Sequence, residues 1–131
     1  MTDRSQRLRR IVDVQRRLHQ LAETRVAHLD REKAGLMAGR QRLIEALNRD
    51  EALQGLFVEA MARRLSALAR QADRVNRERD AAAARMQEAA LRLKRAERMN
   101  DKAARAEERD AWKRGFDDVV DQIGSRDASL P

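Results

Sequence analysis

The chain has 131 residues, of which 39% are charged, 42% hydrophobic and only 2% aromatic, and its formal net charge is +7. That length leaves room for one domain at most, and three aromatics (Phe57, Trp112 and Phe116, with no Tyr) are too few to line a wide core around an active site. With no cysteine present, disulfides and thiolate metal sites are excluded. The opening residues Met1 to Arg10 are charged and lead into no apolar run, which predicts no secretory signal. No stretch approaches the roughly 18 consecutive apolar residues of a membrane helix, so the expectation is a cytoplasmic protein without membrane insertion.

The first segment carries a heptad. One row holds Leu8, Gln15, Ala22, Leu29, Leu36 and Leu43; the companion row is read as Ile11, Leu18, Arg25, Glu32, Gly39 and Ala46. Val14, Leu21 and Val26 lie just off these rows and widen the stripe. Helix one is placed at about residues 4–47. Gly35 and Gly39 fall inside the pattern, where each costs about 1 kcal/mol relative to Ala. Their GxxxG spacing matches a membrane-helix motif in letters only, because Arg31, Glu32, Lys33 and Arg40 surround it. Close helix approach or local softness near the apex is the plainer reading.

The pattern then breaks over about residues 48–56, which is where a bend is expected. Asn48 or Asp50 could cap the second helix, and Asn48 with Glu51 has capping-box spacing.

The second segment has the stronger seam. From Met61 every seventh residue is apolar, through Leu68, Val75, Ala82, Ala89, Ala96 and Ala103, and a second row runs beside it at Val58, Leu65, Ala72, Arg79, Met86, Leu93 and Asn100. Spacings that alternate between three and four are those of coiled-coil packing. Arg79 and Asn100 interrupt the seam, and the preferred reading is a long side chain snorkelling out of a narrow interface. Helix two is placed at about 56–123, with a tail at 124–131 opened by Gly124.

The fold expected is therefore all-α, a single antiparallel coiled-coil hairpin of two long helices with the second longer. With the apex near residue 51, position 8 pairs near position 95, and about the last 20–25 helical residues lack an intrachain partner. A lone helix of that length is only marginally stable, so it should dock on something. Asn100, Glu107 and Asp110 end the old register. A new stripe then begins at Trp112, Phe116, Val119, Val120 and Ile123, whose spacings describe one helical face. These five are the candidate partner-binding residues.

Charge is uneven along the chain. Residues 1–49 hold 12 Lys/Arg against 6 Asp/Glu, whereas residues 50–131 hold 17 against 16, and near the end Glu107, Glu108, Asp110, Asp117, Asp118 and Asp121 outweigh Arg109, Lys113 and Arg114, which reads as an acidic tip. The basic clusters Arg7, Arg9, Arg10, Arg16, Arg17 and Arg92, Lys94, Arg95, Arg98 could meet phosphates. Acids are interspersed throughout, however, and no aromatics sit among the cations to stack on bases, so nucleic acid is not the expected partner. His19 and His28 lie about 180° apart around a helix and cannot share a metal. The four serines have no His/Asp constellation nearby. No catalytic residue, cofactor or metal is expected, and the chain is not read as an enzyme.

The charged N-terminus leading into Leu8-Arg9-Arg10-Ile11-Val12-Asp13-Val14-Gln15-Arg16-Arg17-Leu18, the bend, and the longer second helix make a plan that resembles a known family. So does the charged run from Glu97 to Asp110, which passes into Phe116-Asp117-Asp118-Val119-Val120-Asp121. The family is the small coiled-coil stalk proteins of type III export systems, the FliJ/YscO type, with the flagellar branch preferred. The resemblance implies a cytoplasmic stalk set in the central hole of a hexameric export ATPase and reaching an export-gate protein, peripheral to a membrane-embedded export apparatus and with no active site of its own. The alternative is a free-standing structural coiled coil that homo-oligomerises, with a nucleic-acid binder third.

Overall fold

A computed structural model describes residues 3–49 and 56–128. Two helices account for them: α1, Asp3–Arg49, and α2, Leu56–Ala128. Ala, Leu, Arg and Glu dominate both and propagate helix well, and the only proline is Pro131. Asp3 in the first turn of α1 and Arg49 in its last complement the helix dipole. The helices pack against each other as a hairpin with the second longer, and the described residues contain no strand.

The bend expected at 48–56 falls mostly on residues 50–55, outside the described residues. Asn48 lies inside α1, so it does not cap α2. At the far end, Gly124 does not stop α2, which runs on to Ala128. Gly124 keeps a helical backbone instead of the left-handed one a glycine C-cap uses. Its cost is that of any interior helical glycine, about 1 kcal/mol, and one such residue in a long helix can be carried.

Contacts divide the chain into two units, each made from a stretch of both helices. In the unit of residues 17–91 the core is Val26, Leu29, Val75 and Ala82, with Leu36, Ala83 and Met86 packed against it. Leu29 is only 1% exposed and is the most deeply buried large side chain. The small Ala82 and Ala89, both buried, let the backbones approach at the seam. Burying each Leu or Val contributes about 1.5–3 kcal/mol. The sides are closed by charges: Arg79 Nε meets Asp30 Oδ1 at 2.9 Å and Arg25 reaches Glu78 at 3.5 Å. His19 and His28 each face a glutamate one turn on, Glu23 at 2.8 Å and Glu32 at 3.9 Å.

In the unit of residues 1–16 and 92–131, Leu8, Val12 and Ala96 are buried, with Leu93, Asn100 and Ala103 half-buried. The Ser5 hydroxyl donates to Glu107 Oε1, and Arg16 reaches both Asp13, at 3.6 Å, and Glu97, at 4.0 Å. Gln15 Oε1 is buried with no hydrogen-bond partner among the described residues.

The seam also differs from the sequence expectation. The companion row of α1 is Ser5, Val12, His19, Val26 and Lys33, all buried or half-buried, instead of the row through Ile11. Val12 is 6% exposed and Ile11 47%, and Leu18 and Leu21 are likewise exposed. The row through Ile11 would have placed the charges of Arg25 and Glu32 in the seam, where burial is costly. The row through Val12 asks less, since Ser5 and His19 have hydrogen-bonding partners and Lys33 has a long stem that carries its charge outward. Near the end of α1 the rows relax, and Gly39, Leu43, Ile44, Ala46 and Leu47 are all half-buried.

The pairing near the N-terminus is also shifted. Leu8 shares a groove with Met99, Ala103 and Ala106, so it meets α2 near position 103 and not near 95. Arg95 is an exposed flank residue and offers Leu8 no apolar surface, whereas Ala96 and Ala103 do. Consequently Glu107 does not end the old register: it is half-buried and bonded to Ser5. The free end of α2 accordingly begins further along the chain than expected, and residues 108–126 are exposed throughout.

Candidate functional site

All five candidate residues sit on this free end of α2. Trp112 is 69% exposed, and Phe116, Val119, Val120 and Ile123 are each about half exposed. The helix brings them to one side: successive residues turn by about 100°, so Trp112, Phe116, Val119, Val120 and Ile123 all fall within an arc of about 100°. The rings of Trp112 and Phe116 stack with centroids 5.4 Å apart and planes inclined by 10°. They form one flat apolar surface. On its other faces the same segment carries Asp110, Asp117, Asp118 and Asp121, all exposed. Arg114 donates to the carbonyl of Asp110 at 3.4 Å.

The direction of this face is fixed by the seam. Ala103, which packs toward α1, lies nine residues before Trp112, or about two and a half turns. The Trp112 face and the seam are therefore on opposite sides of α2. Extending α1 backwards would bring it over Asp110, Asp117 and Asp121, not over Trp112. Intrachain packing of Trp112 and Phe116 on the first helix is thereby ruled out by the register of this unit.

Beside Trp112 a shallow groove is lined by Lys102, Arg105, Glu108, Arg109 and Lys113. Sequence reasoning did not single these out. The signal was available, since 102, 105 and 109 precede 112 at helical spacing and continue the aromatic face toward the N-terminus. A charged run of this kind reads as ordinary solvated helix unless it is placed on the same arc as the aromatics.

Arg7, Arg9, Arg10 and Arg17 are exposed but spread around α1, and Arg16 is engaged by Asp13 and Glu97. His19 and His28 face separate glutamates, and among the described residues no three metal-ligating side chains gather. Gly35 and Gly39 do not mark a close helix contact: a Cβ at Gly35 would meet nothing within 4 Å, and one at Gly39 only the end of Arg42, at 3.9 Å. No described helix is long and apolar enough to cross a membrane. No family model matches the sequence, and neither the curated proteins nor the solved structures provide a match.

Proposed function

We propose that the protein is a non-enzymatic coiled-coil stalk or adaptor of a flagellar or type III protein export ATPase complex, linking the ATPase ring to the export gate from the cytoplasmic side. The observation that carries this reading is the end of α2, where an apolar face headed by Trp112 and Phe116 is exposed and turned away from the hairpin seam. An apolar face with no partner in its own chain usually marks an interaction site. A helical hairpin whose longer arm ends in such a face suits a rod that inserts into a surrounding partner. The plan of charged N-terminus, bend and longer second helix adds the resemblance to export stalks. Within this role Trp112 is the anchor and Phe116 supports it by stacking, while Val119, Val120 and Ile123 extend the contact.

The test is retention of the full-length chain on the export ATPase encoded nearest to its gene. Wild type should be retained, and Trp112→Ala/Phe116→Ala should lose most of that retention, because truncating a buried aromatic anchor typically costs about 2 kcal/mol or more. Unchanged retention overturns the reading. A concentration-dependent rise in mass that requires Trp112 would put the self-associating structural coiled coil in its place.

A further inference from the structure

We infer that the segment received by the Trp112 face is an acidic amphipathic helix, apolar along one stripe with Asp or Glu beside it; this rests on the reading of that face as the docking surface. The groove next to Trp112 is bordered by four cations, Lys102, Arg105, Arg109 and Lys113, against one acid, Glu108. None of the four takes part in an ion pair or side-chain hydrogen bond among the described residues. Elsewhere Arg16, Arg25, Arg49, Arg63 and Arg79 each pair with a carboxylate. Unpaired cations collected on the same arc as an exposed aromatic pair make a surface whose complement is apolar and negative.

A second copy of the chain does not supply that complement. Its acids at this end, Asp110, Asp117, Asp118 and Asp121, lie about 100° or more around the helix from the centre of the apolar face, so two such faces brought together would leave the cations without these carboxylates opposite them. An anionic bilayer fits less well for a related reason. The same carboxylates sit within one helix diameter of the apolar face, about 10 Å, and would be drawn toward negative headgroups with it. A protein helix meets neither objection. Its ridge of apolar residues at i, i+4, i+7 can lie along Trp112, Phe116 and Val119 while its flanking carboxylates reach back to Arg105 and Arg109.

Trp112 is the only tryptophan, so its emission reports on the face directly in the intact protein. The probes are three synthetic helical peptides of about 18 residues with an identical leucine stripe and flanks of Glu, Gln or Lys, together with vesicles of mixed phosphatidylcholine and phosphatidylserine. The Glu-flanked peptide should shift Trp112 emission to the blue with an affinity about tenfold above the Gln-flanked one, weakening as salt is added, and the Lys-flanked peptide should bind least. Replacing the four cations together (Lys102→Glu, Arg105→Glu, Arg109→Glu, Lys113→Glu) should reverse the order of the Glu and Lys peptides. Equal affinity for the Glu and Gln peptides overturns the inference. So does a shift produced by the vesicles but not by the Glu peptide, or one produced by raising the protein concentration alone. The two readings fail separately. ATPase retention that needs Trp112 but ignores the fourfold charge reversal leaves the stalk standing without the acidic helix; Glu-peptide binding with ATPase retention indifferent to Trp112 does the opposite.

Discussion

Arg79 donates from Nε to Asp30 Oδ1 at 2.9 Å, tying the middle of α2 to α1 from within a seam row. Arg79 follows Ala72 and precedes Met86 in that row, and its half-exposed side chain runs out of the interface to reach the carboxylate. An ion pair this accessible contributes about 0.2–1 kcal/mol, so Asp30→Ala should lower stability by no more than that in urea unfolding. Arg79→Leu should instead raise stability by about 1 kcal/mol, because a leucine at a seam position buries apolar surface that Arg leaves part-solvated. A loss of several kcal/mol from Asp30→Ala would show that the pair carries far more of the hairpin than its exposure allows.

The assignment of the α1 seam has a direct test in two leucines. Leu29 is 1% exposed in the core with Val26, Val75 and Ala82, whereas Leu21 is 66% exposed. Leu29→Ala should cost about 2–4 kcal/mol through lost transfer energy and the cavity left behind. Leu21→Ala should change stability by less than about 0.5 kcal/mol. Melting curves that drop equally for both would mean that the row through Ile11 and Leu18 is buried after all.

Gly35 offers a gain instead of a loss. Its backbone is helical and a Cβ would meet nothing within 4 Å, so Gly35→Ala should stabilise the protein by about 0.5–1 kcal/mol through the unfolded chain's lost freedom. A decrease in the thermal midpoint would reveal a close approach at this position.

Helix class, the two-helix hairpin with the second longer and the whole Met61 to Ala103 row were legible because a seven-residue repeat of apolar side chains on α2 has no competing register. The α1 seam was harder. Leu8 can be followed by an apolar residue at either +3 (Ile11) or +4 (Val12), and the choice is made by polar members further along. Ser5 and His19 are tolerated because each finds a carboxylate, Glu107 and Glu23, and nothing in the apolar pattern announces those partners. For the same reason Glu107 looked like the end of the seam when it is its last bonded member. The stripe at Trp112 was legible as a face. That the cations Lys102, Arg105 and Arg109 continue it was not, because a charged residue gives no periodic signal until an aromatic neighbour fixes which side of the helix matters.

The exposed face also makes a prediction about stability that separates docking from folding. Trp112 and Phe116 touch each other but lie on the side of α2 away from the seam, so neither supports the pairing with α1. Trp112→Ala/Phe116→Ala should therefore leave the urea midpoint within about 0.5 kcal/mol of wild type, even though these are two of the three aromatics in the chain. In wild type the emission of Trp112 should be that of a solvated indole, quenched readily by iodide, in the absence of any partner. A large stability loss in the double variant, or a tryptophan shielded from iodide in the dilute protein, would place these rings inside a packed core and remove the free face from the account.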